Sequence, residues 1–189
     1  MYATLNFRKL FPIRAIYDNY SDLKNKTNIS ISKLEKGITF EKNAEKYLSK
    51  ITPIECGMGK KVSTILDENN VVPSALIVDA QNKIEKPVII NFDCKDKACS
   101  LSSQIITAQK NSEITVIMNF TSNKKAEGLQ IVQTKLYAEQ NAKIHLVTVN
   151  LLGKNYIHLN DSQSCGRCEC RGNSYRVSGY HGNNKQCQI

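Results

Sequence analysis

The residues best suited to chemistry are cysteines, and four of the seven in the chain fall within its last stretch, from residue 165 to 189. Thiolates bind zinc or iron–sulfur clusters, and His181 or Cys187 would be the fourth ligand beside Cys165, Cys168 and Cys170. The spacing Cys-x2-Cys-x-Cys matches no common zinc finger. One hypothesis is therefore a small metal-binding protein that uses Cys165, Cys168, Cys170 and Cys187.

Other reactive residues are scattered along the chain. Cys94 and Cys99 flank a short polar segment, which we interpret as a surface loop with two exposed thiols, too few for a cluster. His145 lies inside a predicted strand and His158 just after one, and we interpret both as surface or partly satisfied histidines. No Ser/His/Asp or Cys/His set is recognisable, so we predict that the protein is not an enzyme.

A glycine-rich segment at residues 57–60 invites comparison with a phosphate-binding loop. It lacks the four-residue spacing before a Gly-Lys-Ser/Thr sequence, and no strong strand precedes it. We therefore predict a turn that leads into a helix over residues 61–68.

Composition and charge exclude several classes of protein. No apolar run reaches the roughly 18 residues needed to span a bilayer, and the N-terminus has no secretory character. A disulfide framework is therefore not expected. The net charge of +9 comes from evenly spread lysines, without a nucleic-acid motif, although a basic RNA-binding protein is a third hypothesis. We predict a cytoplasmic protein that binds neither membranes nor nucleic acid.

The element pattern changes near residue 75. Residues 1–74 are predicted to be a mixed, mostly helical segment, with a helix over residues 39–48 because Phe40, Ala44 and Leu48 share one face. Residues 75–163 contain short β-branched runs separated by polar turns, which indicates an all-β segment. Residues 164–189 hold no leucine and are predicted to be a disordered tail.

A repeat with an offset of 30 residues marks the β segment. Residues 108–117 align with residues 138–147, so that Asn111 falls on Asn141 and Ile114 on Ile144. A turn followed by a strand at a fixed period is typical of a coil whose turns stack on one another. Asparagine suits the corners, because it tolerates the left-handed backbone. A β-sandwich or a plain meander is the alternative.

Four segments of the chain resemble the SufB/SufD family of iron–sulfur cluster assembly scaffolds: residues 85–90, 110–117, 129–138 and 141–144, with a weaker likeness at residues 5–14. The resemblance implies a mainly β fold, the start of a right-handed parallel β-helix behind a small α/β or helical N-terminal segment. It also implies a cytoplasmic, non-catalytic scaffold that pairs with a SufB-like paralogous subunit and an ABC-type ATPase. The iron–sulfur cluster would be handled by the full complex, and this chain alone would bind no cofactor.

The chain departs from the family pattern in length. Family members are about twice as long, with cluster-related residues in the later β-helix and a C-terminal helical domain that docks the ATPase. No functional residue can be transferred by position, and the chain is interpreted as a truncated, SufD-like N-terminal portion. Back-translation of residues 165–176 one base later restores a turn-then-strand unit about 28 residues after the previous copy. We therefore hypothesise that residues 164–189 are a frameshift product.

Overall fold

The computed structural model describes residues 12–23, 27–50, 59–166 and 175–178. These residues contain two α-helices, a 3-10 helix and ten strands. The helices are α1 (Ile13–Asp18), the 3-10 helix (Glu45–Lys50) and α2 (Gly59–Glu68). The strands are β1 (Asn28–Ile31), β2 (Ile38–Glu41), β3 (Ser74–Val78), β4 (Val88–Cys94), β5 (Ala98–Ala108), β6 (Glu113–Ser122), β7 (Glu127–Ala138), β8 (Lys143–Leu151), β9 (Asn155–Gly166) and β10 (Tyr175–Ser178).

From β3 onward the chain coils between two sheets. One sheet has the order β1-β4-β6-β8-β10 (sheet A) and the other β2-β3-β5-β7-β9 (sheet B). From β3 onward, neighbouring strands within each sheet pair in parallel, as when Glu113 of β6 pairs with Lys143 of β8. The result is a β-solenoid of about three turns. The predicted fold class, mainly β with the start of a parallel β-helix, is confirmed.

The corners between coils use left-handed backbone where the repeat predicts it. Asn111 has φ 59° and Asn141 has φ 57°, and Gln81 occupies the same corner one coil earlier with φ 63°. The Asn141 side-chain amide donates to the Asn111 side-chain oxygen at 3.1 Å. Asparagine at these corners therefore serves both the backbone conformation and a contact between coils.

Gln81 is the one of these three corner residues that is not asparagine. It is exposed, so its side chain gains little from packing while its backbone carries the left-handed strain. We expect Gln81→Gly to raise the free energy of unfolding by roughly 1 kcal/mol. Urea denaturation measures the change. Asn111→Gln is the matched reverse substitution and should destabilise the fold, and a Gly variant no more stable than the parent chain would contradict the account.

The main core lies between the two sheets. Alternate side chains of β4, β6 and β8 point inward, as the burial of Val88, Ile90 and Phe92 on β4 shows. The outer face of sheet B is covered in turn by α1 and α2, whose Ile13, Val62, Ile65 and Leu66 pack on Leu129, Ile131 and Leu159. Sheet B is therefore buried on both faces over these strands.

The N-terminal segment departs from the helical prediction. The helix predicted over residues 39–48 is wrong in its first part, because Ile38–Glu41 form β2 and pair antiparallel with β3. The later part, from Glu45, belongs to the 3-10 helix, and Ala44, which precedes that helix, is fully buried. Backbone pairing at a sheet edge outweighed the helical periodicity of Phe40 and Leu48. The helix predicted over residues 61–68 is confirmed as part of α2.

The C-terminal segment also contains strands. β9 continues past the predicted boundary at residue 163 to Gly166, and β10 pairs in parallel with β8 through Tyr175 and Val147. Residues 164–166 and 175–178, which lie within the predicted disordered tail, are therefore in strands. Tyr175 and Val177 favour extended backbone, and pairing with β8 requires no leucine. Tyr175 and its partner Val147 are 28 residues apart in the chain. The division into three domains and the handedness of the coil stay predictions.

Candidate functional site

The interior of the solenoid becomes polar along one column of sheet B. Ser100, Gln130 and His158 are successive partners in β5, β7 and β9, and each side chain points inward. Their exposed fractions are 1%, 0% and 6%. A buried polar column among apolar neighbours is costly unless it is hydrogen-bonded, which makes it the first place to look for function.

Cys94 joins this column from sheet A. It ends β4, faces inward, and its thiol donates to the Gln130 side-chain oxygen at 3.4 Å and lies 3.7 Å from the Phe92 carbonyl oxygen. Burial raises the pKa of the Cys94 thiol to about 11. The predicted surface position of Cys94 is wrong. The alternation of Val88, Ile90 and Phe92 with period 2 is the signal that places Cys94 on the inner face.

His158 is the last member of this column and lies within β9 rather than after a strand. Its ring centroid is 4.4 Å from that of Phe120, which in turn stacks on Phe92 at 4.5 Å. The surface interpretation of His158 is therefore wrong, since it is 6% exposed. His145, in contrast, lies on the outer face of sheet A, 3.5 Å from a Glu113 carboxylate oxygen, as a half-exposed histidine.

Cys99 and Tyr156 complete the set of titratable groups nearby. Cys99 is also buried, contrary to prediction, because it points outward from sheet B under α1 and α2. Burial raises the pKa of its thiol to about 11. The Tyr156 hydroxyl donates to the Lys95 carbonyl oxygen at 3.0 Å, and burial raises the pKa of that hydroxyl as well. Cys94 and Cys99 face different layers of the fold, so they do not form a pair.

These groups are suited to structure more than to reaction. A thiol with a pKa of about 11 is protonated at neutral pH, and a protonated thiol is a poor nucleophile and a poor metal ligand. Within residues 12–23, 27–50, 59–166 and 175–178, no three His, Cys, Asp or Glu side chains cluster as a metal site would require. The hydrogen bond from Cys94 to Gln130 instead ties one sheet to the other.

The metal hypothesis for the C-terminal cysteines stays a prediction. Cys165 is described only by its backbone pairing with Tyr137, while Cys168, Cys170, Cys187 and His181 lie outside the described residues. Of the glycine-rich segment, Gly59 and Lys60 begin α2, and residues 57–58 lie outside the description.

The burial of the Cys94 and Cys99 thiols predicts slow alkylation in the native protein. In the native protein near pH 8, Cys94 and Cys99 should react with iodoacetamide at least about 100-fold more slowly than an exposed cysteine. Their thiolate fraction is small because both pKa values are raised to about 11, and both sulfurs are buried. Peptide mass spectrometry of native and urea-unfolded protein measures each site separately. Equal rates for Cys94 in the two states would contradict the assigned burial.

Comparison with known proteins gives one match. Residues 91–184 match the family model described as the SufBD core domain of the SUF system for FeS cluster assembly. The matched range runs from within β4 through β10 and includes most of residues 164–189 as they are written. No curated protein and no solved structure matches the chain significantly. The match supports the SufB/SufD family and an involvement in iron–sulfur cluster assembly. The hypotheses of truncation and of a frameshift stay predictions.

Proposed function

We propose that this chain acts as a cytoplasmic, SufD-like, non-catalytic scaffold subunit in iron–sulfur cluster assembly. The observation that supports the proposal most is the match of residues 91–184 to the SufBD core domain, because the matched residues are those that build the solenoid. No helix among the described residues is long and apolar enough to cross a bilayer.

The non-catalytic part of the proposal draws on the chemistry of the interior. Cys94 and Cys99 are protonated at neutral pH, and Cys94 is already engaged with Gln130. A scaffold needs a rigid frame rather than an activated nucleophile, and the hydrogen bond from Cys94 to Gln130 connects the two sheets of that frame.

The two ends of the solenoid differ in whether their edge strands are covered by further strands of the described chain. At the N-terminal end, β1 pairs antiparallel with β4, and β2 pairs antiparallel with β3, so both sheets are capped. At the other end, β9 is the last strand of sheet B in the described part of the chain. An uncapped edge presents unpaired backbone groups that can pair with another strand. We propose that a SufB-like paralogous subunit docks at this end.

Copurification tests the proposed partner. The tagged chain is coexpressed with a SufB-like protein and an ABC-type ATPase, and recovery of both is expected. Ser164 is exposed at the open edge of β9, and Ser164→Lys places a lysine there that blocks strand pairing and should reduce recovery. Ser30→Lys on the capping strand β1 is the matched control and should leave recovery unchanged. Recovery equal in all three chains would refute docking at β9.

Metal content separates the proposal from the metal-binding alternative. The purified chain alone should hold iron and zinc well below one equivalent, because the cluster would be handled by the full complex. Stoichiometric zinc or iron that is lost in Cys168→Ser would favour the small metal-binding protein instead.

A further inference from the structure

The outer face of sheet B is organised in columns of residues that are partners in successive strands, and two neighbouring columns differ in chemistry. One column is apolar and packs under α1 and α2: Leu101, Ile131 and Leu159. The next column, two residues further along each strand, is polar and buried: Ser103, Gln133 and Asp161. Each column keeps its character from β5 through β7 to β9, so a strand added beside β9 meets the same division.

Polar side chains of sheet B form hydrogen bonds from one strand to the next. The Ser74 hydroxyl of β3 donates to the Gln104 side-chain oxygen of β5 at 2.7 Å. The Gln133 side-chain nitrogen of β7 donates to an Asp161 carboxylate oxygen of β9 at 3.0 Å, and also to the Ser63 hydroxyl of α2 at 2.9 Å. Buried polar groups are stable in a fold when they are bonded in this way. The member of a polar column that lies at a sheet edge is therefore placed to bond with the next strand.

Asp161 is the charged member of its column, and it lies on the last strand of sheet B in the described part of the chain. It is 6% exposed. The side-chain amides of Gln133 and Gln163 both donate to the same carboxylate oxygen, Oδ2, at 3.0 and 2.9 Å. Among the residues that the structure describes, none donates a hydrogen bond to Oδ1, and Lys135 of β7 attracts the carboxylate without forming an ion pair with it. Since an ionised carboxylate accepts about four hydrogen bonds, half of its capacity is unused.

A residue opposite Asp161 on a strand docked at β9 would be within reach of this carboxylate. Directly opposite residues of neighbouring strands point to the same face, with Cβ atoms about 5 Å apart. Buried charges in proteins are paired with the opposite charge, and a charge-assisted hydrogen bond is roughly twice as strong as a neutral one. An ammonium or guanidinium group at the opposite position is therefore the best complement to Asp161.

We propose that Asp161 determines which strand the β9 edge accepts, by pairing with a lysine or arginine of the partner subunit. The neighbouring column adds a second requirement, an apolar side chain opposite Leu159. Because Leu159 and Asp161 are two residues apart on one face, the docking strand carries an apolar residue and a cation at positions i and i+2, in an order set by its direction. This pairing rests on the proposed function, in which the β9 edge receives the partner.

The affinity of the purified chain for a purified SufB-like protein, measured by isothermal titration calorimetry, tests the pairing. Asp161→Asn keeps an oxygen that accepts the Gln133 bond but loses the charge, and it should raise the Kd at least about 10-fold. Asp161→Ser introduces the residue type that Ser103 has in the same column, and it should also raise the Kd. Asp93→Asn removes an exposed carboxylate of β4 that pairs with Lys95, and this matched loss of charge should leave the Kd unchanged.

The Ser164→Lys variant separates failure of the pairing from failure of the proposed docking. An unchanged Kd in both Asp161 variants, together with a raised Kd in Ser164→Lys, would overturn the pairing and leave docking at β9 intact. An unchanged Kd in Ser164→Lys would refute docking at β9 itself, whatever the Asp161 variants show. Asp161→Lys should abolish binding, and reversal of one lysine or arginine to glutamate in the docking strand of the partner should restore it. Failure of every such reversal to restore binding would also overturn the pairing.

Discussion

Phe120→Ala is expected to lower the free energy of unfolding by about 4 kcal/mol, the largest effect of a single substitution in this chain. Phe120 is fully buried near the C-terminal end of β6. Its ring stacks on Phe92 of the preceding coil at 4.5 Å and meets His158 of the following coil at 4.4 Å. Removal of the ring therefore breaks contacts on both sides and leaves a cavity between the sheets.

Urea denaturation followed by far-UV circular dichroism measures the loss. Phe120→Leu keeps most of the apolar volume and should cost roughly 1 kcal/mol. Phe40→Ala removes an aromatic ring that is only half-buried on the edge strand β2, and it should cost clearly less than Phe120→Ala. A cost for Phe120→Ala no greater than that for Phe40→Ala would show that the stack does not bridge the coils.

Gly128→Ala should be the second most damaging change, with a cost of about 3 kcal/mol. A Cβ atom at Gly128 would lie 2.5 Å from the Ala98 carbonyl oxygen and 2.7 Å from the ring of Tyr156. The backbone oxygen cannot rotate away, and movement of Tyr156 would break its hydrogen bond to the Lys95 carbonyl oxygen. The position needs glycine because three coils meet there closely, rather than for any unusual backbone angle.

The same denaturation assay checks this prediction. Ser102→Ala is a suitable control, because it changes a buried inward side chain of β5 whose hydroxyl has no hydrogen-bond partner. That variant should be as stable as the parent chain or slightly more stable. If Gly128→Ala unfolded at the same urea concentration as Ser102→Ala, the predicted steric clash at Gly128 would be contradicted.

Much of the solenoid is predictable from local sequence. The repeat that aligns Asn111 with Asn141 is also the pairing register of β6 with β8, and the left-handed corners fall where asparagine predicts them. The prediction succeeds because a coil that stacks on its own copy uses the same turn chemistry and the same alternation each time. The helix over residues 39–48 was predicted wrongly for the converse reason. Its periodicity is local, while the pairing of β2 with β3 joins residues far apart in the chain.

The candidate site was predicted less well than the fold. Cys94 and Cys99 are predicted to be surface thiols and His158 a surface or partly satisfied histidine, whereas all three side chains are buried. The buried Asp161, which accepts hydrogen bonds from Gln133 and Gln163, had no counterpart in the sequence analysis. Polar residues give no local sign of their depth when the layer that covers them comes from another part of the chain. Ser63 and Asp161, for example, meet through Gln133 although almost a hundred residues separate them.

The sequence by itself determined the β class, the coil period, the corner residues and the resemblance to SufB/SufD proteins, because each depends on patterns within one coil or between adjacent copies. Only the tertiary structure decided which face each strand buries and that β1 and β2 cap one end of the solenoid. It also decided that Cys94, hydrogen-bonded to Gln130, and Asp161, hydrogen-bonded to Gln133, are buried. Burial and the pKa shifts that follow from it are properties of packed layers, and a layer exists only once distant segments have met.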